Sequence, residues 1–216
     1  MDIFSDFEAV GNILKAVRRA GFKKASIENL VLAEQVHGAN IFNCPVGVGG
    51  FIKLQCDGLV GKNPEQILMV KTADCVPLLI YSKKEKKVGA LHAGFLGIAK
   101  GIIEHGISKF KNPRDLIVAI GPHIRSCCYY LRGESQKYAK KPYYKKYIEK
   151  RDDKLYFDLT EITIDKLIKL GVKKENIEDC KICTFCQSQR FFSLRASEKL
   201  STAKGDKRFG SFIGLR

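Results

Sequence analysis

The strongest constraint on the fold comes from residues 67–97, where two short apolar runs flank a polar, lysine-rich connection. The runs are residues 76–81 and 88–91, and this pattern predicts two antiparallel strands joined by an exposed turn. In such a hairpin the start of one strand lies beside the end of the other. Cys75 is therefore expected opposite position 92, which is His92, or a residue or two beyond it. The sequence thus predicts two soft metal ligands at one sheet edge.

The length and composition predict one domain. The chain has 216 residues and no Pro-, Gly- or Ser-rich linker, so we expect residues 1–216 to share one core. No apolar run approaches the roughly 20 residues of a membrane span, and the first ten residues are acidic where a signal peptide would be basic. We expect a soluble, cytoplasmic protein. Its eight cysteines are then expected as reduced thiols, metal ligands or core residues rather than disulfides.

The net charge of +15 arises entirely from the carboxy-terminal part of the chain. Residues 1–75 hold eight basic and eight acidic side chains, whereas residues 76–216 hold 30 basic and 15 acidic ones. The charge is densest at residues 137–154, where eight basic residues alternate with four tyrosines. This alternation of basic and aromatic residues is compatible with nucleic-acid binding through phosphate contacts and base stacking. No motif that recognises base edges in a groove accompanies it. We predict a solvated, lysine-rich helix here and keep nucleic-acid binding as the alternative.

Apolar spacing predicts the elements around the hairpin. In chain order they cover residues 7–17 (helix), 29–36 (strand), 98–110 (helix), 116–120 (strand) and 161–170 (helix). Gly21 is expected to end the first helix. Asp158 or Thr160 is expected to cap the last helix, and Gly171 to end it.

Three cysteines recur at two-residue gaps near the carboxy terminus: Cys180, Cys183 and Cys186. This spacing occurs in zinc and iron–sulfur sites, which need a fourth ligand and usually a second pair. None follows in the sequence, so packed, reduced thiols are predicted over a metal cluster. Cys127 and Cys128 are likewise predicted to be packed rather than reactive.

Six short motifs occur in an order that resembles the YfiH/laccase-domain family of purine nucleoside phosphorylases. The motifs are QVHG at 35–38, DGLV at 57–60, TADCVP at 72–77, HAGFLG at 92–97, the segment from GP to CCY at 121–129, and FFSLR at 191–195. The resemblance covers roughly residues 30–216, and residues 1–29 are interpreted as a divergent helical segment. Each motif alone is short, but six in the same order are specific.

The resemblance implies an α+β fold, a layered sandwich of mixed β-sheets and α-helices similar to that of cytotoxic-necrotizing-factor-type cysteine hydrolases. It also implies a zinc ion held by His37, Cys75 and His92. The residue types agree with this, because two imidazoles and one thiolate suit Zn²⁺ better than Mg²⁺ or Ca²⁺. Three protein ligands leave one tetrahedral position open, as in catalytic zinc sites. His105 and His123 are predicted to have structural roles.

The activity implied by the resemblance is phosphorolysis of adenosine, inosine, guanosine and methylthioadenosine, with deamination of adenosine to inosine as a second reaction. The expected partners are therefore purine nucleosides and phosphate, and the protein is expected to be a monomer or small homo-oligomer. Five residues are candidate substrate contacts. Gln35, Asp57 and Asp74 are polar residues expected near the metal. Phe192 is expected to stack on the base, and Arg195 to bind phosphate.

Two departures from the family pattern bear on phosphate binding. The family usually has an aromatic residue and an arginine after its second zinc histidine, and this chain has Phe95 and Leu96. Relatives also commonly begin with a segment that carries an Arg-Gly-Gly-type anion motif, which is replaced here by the predicted helix. Phosphate is therefore expected to be bound elsewhere, by Arg125 or Arg195.

Two further functions are compatible with parts of the sequence. The older family label implies copper-dependent oxidation of polyphenols, but one His₂Cys site in a chain with four histidines cannot form a multi-copper centre. A cysteine hydrolase is also possible, in which His92 or His37 activates Cys75 as the nucleophile. A chelator should inhibit a zinc enzyme and leave a thiol hydrolase active.

Overall fold

The computed structural model describes residue 15, residues 18–19, 21–199 and 207–215. In this part of the chain twelve β-strands form three sheets, and six α-helices accompany them. The strands are β1 (Leu30–Glu34), β2 (Ile41–Cys44), β3 (Gly50–Gln55), β4 (Gly58–Gly61), β5 (Ile67–Thr72), β6 (Val76–Ser82), β7 (Lys87–Ala93), β8 (Leu116–Ile120), β9 (Ile148–Arg151), β10 (Lys154–Phe157), β11 (Ile177–Asp179) and β12 (Phe209–Gly214). The helices are α1 (Phe95–Lys100), α2 (Ile102–Ile107), α3 (Gln136–Ala139), α4 (Pro142–Lys145), α5 (Leu159–Lys169) and α6 (Leu194–Lys199).

The predicted hairpin is confirmed as the antiparallel pair β6 and β7. Its register places Val76 opposite Ala93 and Pro77 opposite His92. Cys75 directly precedes β6, so it lies at the level of Gly94, within the range that the sequence predicts. The hairpin is at the centre of the larger sheet, whose strand order is β11-β8-β6-β7-β4-β2. A central position buries both faces of the strands and fixes where their ends lie.

A second sheet, of order β12-β5-β1-β3, packs on one face of the larger sheet. Apolar side chains from both sheets fill the space between them: Val31, Ala33, Leu68 and Val70 from the smaller sheet, and Leu59, Val88 and Ala90 from the larger. Helices α1, α2 and α5 cover the opposite face of the larger sheet through a separate apolar cluster. These layers of mixed sheets and helices confirm the predicted α+β sandwich.

The helix predicted over residues 98–110 is divided in two. Gly101 adopts a left-handed conformation with φ of 94°, and this residue both ends α1 and precedes α2. Because glycine has no Cβ, it adopts this conformation without steric cost. The last predicted helix is confirmed as α5. Asp158 caps it by accepting hydrogen bonds from the N–H groups of Thr160 (2.9 Å) and Glu161 (2.8 Å).

The basic, tyrosine-rich segment at residues 137–154 differs from the single helix predicted for it. It forms the short helices α3 and α4 and then enters the β9–β10 hairpin. Its tyrosines point inward in part, because Tyr144 and Tyr147 are only 7% and 3% exposed and pack near Phe157. These two rings belong to the core and are not free to stack on nucleic-acid bases, whereas Tyr143 of the same segment is 41% exposed.

The predicted opening helix at residues 7–17 lies for the most part outside the described residues. Among those described, Lys15, Arg18 and Arg19 are helical, and Gly21 has φ of 98°, as expected of a residue that ends a helix. Within the described ranges no helix is long and apolar enough to cross a membrane.

Candidate metal centre

Three separate segments bring His37, Cys75 and His92 together. His37 follows β1, Cys75 precedes β6, and His92 is near the end of β7. Their ligand atoms all lie within 4.8 Å of one another. Nε2 of His37 is 3.7 Å from Sγ of Cys75, and the two imidazole rings have centroids 4.8 Å apart. The β6–β7 hairpin and the residue that directly precedes it supply two of the three ligands, and the segment that follows β1, a strand of the second sheet, supplies the third.

A buried carboxylate, that of Asp57, orients both histidines. Its Oδ1 atom is 2.7 Å from Nδ1 of His92. The same carboxylate accepts hydrogen bonds from the backbone N–H groups of Val36 (3.2 Å), His37 (2.9 Å) and Gly38 (2.7 Å). These bonds hold the segment in which His37 adopts an unusual positive φ of 55°. With Nδ1 of His92 bonded to Asp57, the Nε2 lone pair is left for a metal, a common arrangement at zinc sites.

The thiol and the buried imidazole influence each other's ionisation. Burial favours the neutral thiol, but the positive charge of His92 and the hydrogen bond with His37 outweigh it and lower the pKa of Cys75 to about 6. Burial also opposes the charged imidazole, but the Cys75 thiolate and Asp57 together raise the pKa of His92 to about 9. Without a metal, a thiolate and an imidazolium therefore face each other at neutral pH. A thiolate is the form of cysteine that binds metals and acts as a nucleophile.

Gly94 leaves room for the ligands, a role that the sequence analysis missed. A Cβ atom at this position would lie 2.8 Å from Sγ of Cys75 and 3.1 Å from Cδ2 of His37. Any side chain would therefore displace at least one ligand. The available signal was the glycine two residues after His92 in the HAGFLG motif.

The donor set fits a zinc ion. One thiolate and two imidazoles are borderline-soft ligands, and the carboxylate behind His92 supplies the outer hydrogen bond that metal-binding histidines almost always make. Three protein ligands leave a fourth tetrahedral position for water or substrate. The arrangement is also the one that a cysteine hydrolase needs. Cys75 would be the nucleophile, His92 the base, and Asp57 the carboxylate that orients the base.

Two of the predicted substrate contacts have their polar atoms engaged within the protein. The side-chain amide of Gln35 donates to the backbone oxygen of Lys71 and accepts from its N–H, both at 2.8 Å. Asp74, at φ of 86°, accepts from Thr184 Oγ1 at 2.7 Å and from the N–H of Arg195 at 2.8 Å. Asp57 is fully buried and engaged in the same way. The structure therefore places these three residues beside the ligands as supports.

The two arginines predicted to bind phosphate differ in how their guanidinium groups are engaged. Arg125 makes a bidentate ion pair with Asp179, at 3.0 and 2.9 Å. Arg195 packs against the ring of Tyr130, with 4.9 Å from Cζ to the ring centroid, and its Nη1 is buried without a hydrogen-bond partner among the described residues. Phe192, three residues earlier, is 41% exposed.

Lys100 supplies a positive charge at the centre that the sequence analysis missed. Its Nζ atom donates to the backbone oxygen of His37 at 3.2 Å. Lys100 is on α1 four residues after Leu96, and residues four apart share one face of a helix. Lys100 therefore lies on the same face of α1 as Leu96, one turn further along the helix.

The remaining two histidines make hydrogen bonds away from the centre. Nδ1 of His105 is 2.9 Å from the backbone oxygen of Ala39. His123 is buried, with Nδ1 2.9 Å from the oxygen of Gly121 and Nε2 2.8 Å from Thr160 Oγ1. All four histidines of the chain are thus accounted for, and they do not form a multi-copper centre.

A second group of metal-ligand side chains consists of Cys127, Cys128, Cys183 and Cys186, whose sulfur atoms all lie within 4.8 Å of one another. The sequence analysis considered only ligands that follow the triplet of Cys180, Cys183 and Cys186. The structure brings together two cysteines that precede it, Cys127 and Cys128, with Cys183 and Cys186, and Cys180 is not a member of the group. Adjacent cysteines at 127–128 were the available signal.

An α+β sandwich with an open His₂Cys centre defines a class of metal-binding protein, and comparison with known sequences gives the family. A family model described as multi-copper polyphenol oxidoreductase laccase matches residues 7–216, and the chain belongs to this family. The purine nucleoside phosphorylase Cj1217c of Campylobacter jejuni is 31% identical over 99% of this chain and 92% of its own length. The purine nucleoside phosphorylase YfiH of Escherichia coli is 28% identical over 86% of this chain and 73% of its own.

Solved structures agree with this assignment. The YfiH protein of Bacillus licheniformis superposes with a TM-score of 0.82 at 28% identity, covering 96% of this chain and 81% of its own. YlmD of Geobacillus stearothermophilus gives a TM-score of 0.79, also at 28% identity, over 96% of this chain and 80% of its own. The resemblance predicted from six motifs and the predicted fold are both confirmed.

Proposed function

We propose that this chain is a zinc-dependent purine nucleoside phosphorylase whose metal ligands are His37, Cys75 and His92. The observation that carries the proposal is the convergence of these three ligand atoms within 4.8 Å around a histidine fixed by a buried carboxylate. Relatives of this chain are named purine nucleoside phosphorylases, so the proposed reaction is phosphorolysis of purine nucleosides. The substrates are phosphate and adenosine, inosine, guanosine or methylthioadenosine.

Zinc at this centre would supply a Lewis acid and lower the pKa of a bound water or polarise a substrate oxygen. The protein's own residues provide the rest of the site. Asp57 keeps Nε2 of His92 directed at the centre, and Gly94 keeps the space beside Cys75 free. Asp57 is thus a positioning residue rather than a substrate contact, since its oxygens are engaged by His92 and the 36–38 backbone.

Phosphorolysis requires a phosphate oxygen to bond to the ribose C1′ while the bond from C1′ to the base nitrogen breaks and the base takes up a proton. Cations beside the reacting centre stabilise the phosphate. Arg195 has an unpaired Nη1, and its backbone N–H is bonded to Asp74, the neighbour of Cys75. Lys100 contacts the backbone of His37. These two cations approach the ligands from different elements, and both are assigned to phosphate binding.

The purine is assigned to the exposed ring of Phe192, because an aromatic face offers stacking to any base. Phe192 and Arg195 are in the same short segment, which would bring the base and the phosphate together. Deamination of adenosine at C6 is a second reaction compatible with an open metal position, because it needs only an activated water in the same pocket.

A cysteine hydrolase is the second candidate function. The specific observation in its favour is the chain of contacts from Asp57 to His92 to Cys75, with a lowered pKa at the thiol. This arrangement is that of an activated nucleophile with an oriented base. Metal removal separates the two functions, because it should abolish zinc-dependent turnover and increase the exposure of the thiol.

The proposal is tested by chromatography of zinc-loaded protein incubated with adenosine, with and without phosphate. Adenine that forms only with phosphate supports phosphorolysis, and inosine supports deamination. Cys75→Ala should abolish either product, whereas Cys180→Ala, a cysteine outside both groups, should not. Absence of product from all four nucleosides would contradict the proposed function, and turnover that survives chelation would favour the thiol hydrolase.

Substitution of Arg195 tests the phosphate assignment. Arg195→Gln should raise the KM for phosphate by roughly tenfold or more, since hydrogen bonds to charged groups contribute about 1.5–3 kcal/mol. The KM for the nucleoside should change less. Arg190→Gln is the matched control, because Arg190 is exposed and flanks the same motif. Equal effects of the two substitutions would contradict the assignment.

A further inference from the structure

The four-cysteine group joins two loops distant in sequence. Sγ of Cys127 is 3.7 Å from that of Cys183 and 3.8 Å from that of Cys186, and Sγ of Cys128 is 3.4 Å from that of Cys186. None of these cysteines forms a disulfide. Apolar packing does not explain why four sulfur atoms lie this close together without a covalent bond. Cys127 and Cys186 are exposed, so burial in a core does not hold them in place.

Backbone pairing holds the two loops in register. His123 and Cys183 form a parallel β-bridge. The N–H of His123 donates to Ile182 at 3.3 Å, and the N–H of Thr184 donates back to His123 at 3.0 Å. A turn then carries Cys186 back beside Cys183, with the N–H of Gln187 donating to the oxygen of Cys183 at 3.0 Å. The cluster is thus built into the backbone and does not depend on flexible side chains alone.

We propose that Cys127, Cys128, Cys183 and Cys186 bind one zinc ion as four thiolate ligands. Zinc–sulfur bonds of about 2.3 Å in a tetrahedron place the sulfur atoms about 3.8 Å apart. The three sulfur–sulfur distances of 3.4, 3.7 and 3.8 Å are close to this tetrahedral edge. A four-iron cluster bonds each thiolate to a different iron and requires a wider spread. The two-residue gap between Cys183 and Cys186 is the spacing found in structural zinc sites.

The four-cysteine group is accessible to an incoming ion. The exposure of Cys127 and Cys186 leaves a path for the ion.

A zinc ion with four protein ligands has no open position, so this site is structural. Its place in the fold indicates what it stabilises. Thr184, next to Cys183, donates to Asp74, which directly precedes the metal ligand Cys75. Asp74 also accepts from the N–H of Arg195. A bound ion would therefore fix the loop that carries Thr184, one of the two partners of Asp74, and so support one side of the His37/Cys75/His92 centre.

Zinc content per chain, measured by plasma mass spectrometry after exhaustive dialysis, tests the proposal. We expect two zinc ions in the wild type and one each in Cys75→Ala and in Cys183→Ser/Cys186→Ser. Cys180→Ser, which removes the third cysteine of the same sequence triplet, should keep two. Equal zinc content in the wild type and the double variant would overturn the proposal, as would iron in place of zinc.

A second measurement covers the case in which the double variant fails to fold. Cys75→Ala protein, loaded with one cobalt ion per chain, should show an intense thiolate-to-cobalt charge-transfer band, because all remaining ligands in the occupied site are sulfur. A weak band, or a bound cobalt ion that leaves all four cysteines open to alkylation, would overturn the four-thiolate assignment. Protection from alkylation of those four residues but not of Cys180 would support it.

Discussion

The two cysteine-containing centres differ in how many ligands the chain provides. The His37/Cys75/His92 centre has three, one of them a histidine fixed by a carboxylate, and so has an open position. The four-cysteine group has four and so is closed. In our proposals the same soft ligand serves chemistry in one place and stability in the other, and the number of protein ligands distinguishes the two roles.

The two centres also differ in what positions them. Strands of two packed sheets position the open centre: its ligands follow β1, directly precede β6 and lie near the end of β7. The four-cysteine group is between two loops joined by a β-bridge, so in our proposal a bound ion contributes to their order. Loss of metal should therefore change activity at the first centre and stability at the second, and the following predictions test that contrast.

The largest effect is expected from removing a ligand of the open centre. Cys75→Ala should lower the turnover of nucleoside by more than about 100-fold, beyond the cost of losing an outer-shell partner. Cys183→Ser/Cys186→Ser should instead lower the Tm by at least about 4 °C, because a bound ion stabilises the folded state. Steady-state kinetics and thermal unfolding of both variants provide the measurement. A larger loss of Tm in Cys75→Ala than in the double variant would reverse the contrast.

The second prediction concerns thiol reactivity in zinc-free protein. Cys75, with a pKa of about 6, should alkylate at pH 7 roughly 100-fold faster than Cys56, whose pKa burial raises to about 11. Because the pKa of Cys75 is lowered, its thiolate persists as the pH falls from 9 to about 6, and the rate should drop only below that value. Residue-resolved mass spectrometry of iodoacetamide adducts gives both rates. Protection of Cys75 by added zinc is the control, and a rate that falls already near pH 9 would contradict the lowered pKa.

An intermediate effect is expected from the carboxylate behind His92. Asp57→Asn keeps the size of the side chain but removes the charge that holds Nδ1–H of His92. Zinc affinity at the open centre, or activity, should fall about 10–100-fold. Competitive zinc titration with a chromophoric chelator measures this. Asp179→Asn, which changes a carboxylate paired with Arg125 away from this centre, should leave the affinity unchanged.

The smallest effect is expected from Gly94→Ala. The added methyl group would lie 2.8 Å from Sγ of Cys75, so the thiolate must shift. We expect zinc affinity to fall several-fold, since a displacement of this size costs about 1–3 kcal/mol. The four-cysteine site should keep its ion. Unchanged affinity would show that the space beside Cys75 is not limiting.

Local patterns predicted part of each centre. The two apolar runs around residues 82–87 gave the β6–β7 hairpin, and from it the proximity of Cys75 and His92. The family motifs gave His37. No periodicity could assign Asp57 to His92, because the hydrogen bond between them spans 35 residues and depends on how β4 pairs with β7.

The misassignments have a related cause. The helix predicted over residues 98–110 is broken by a single glycine, Gly101, a residue type that is compatible with either a helical or a left-handed conformation until packing selects one. The tyrosines of residues 137–154 suggested a nucleic-acid surface, but the core beneath them buries Tyr144 and Tyr147. Composition shows which residues can stack, and only packing shows which of them are free to do so.

By itself the sequence determined the ligand types, the central hairpin and the family, because strand periodicity and short motifs depend on residues close together in the chain. The tertiary structure decided which cysteines meet. Cys127 and Cys183 are 56 residues apart, and Thr184 and Asp74 are 110 apart. Contacts at such separations follow from the pairing of whole strands and loops, so each depends on the fold as a unit and has no local signature.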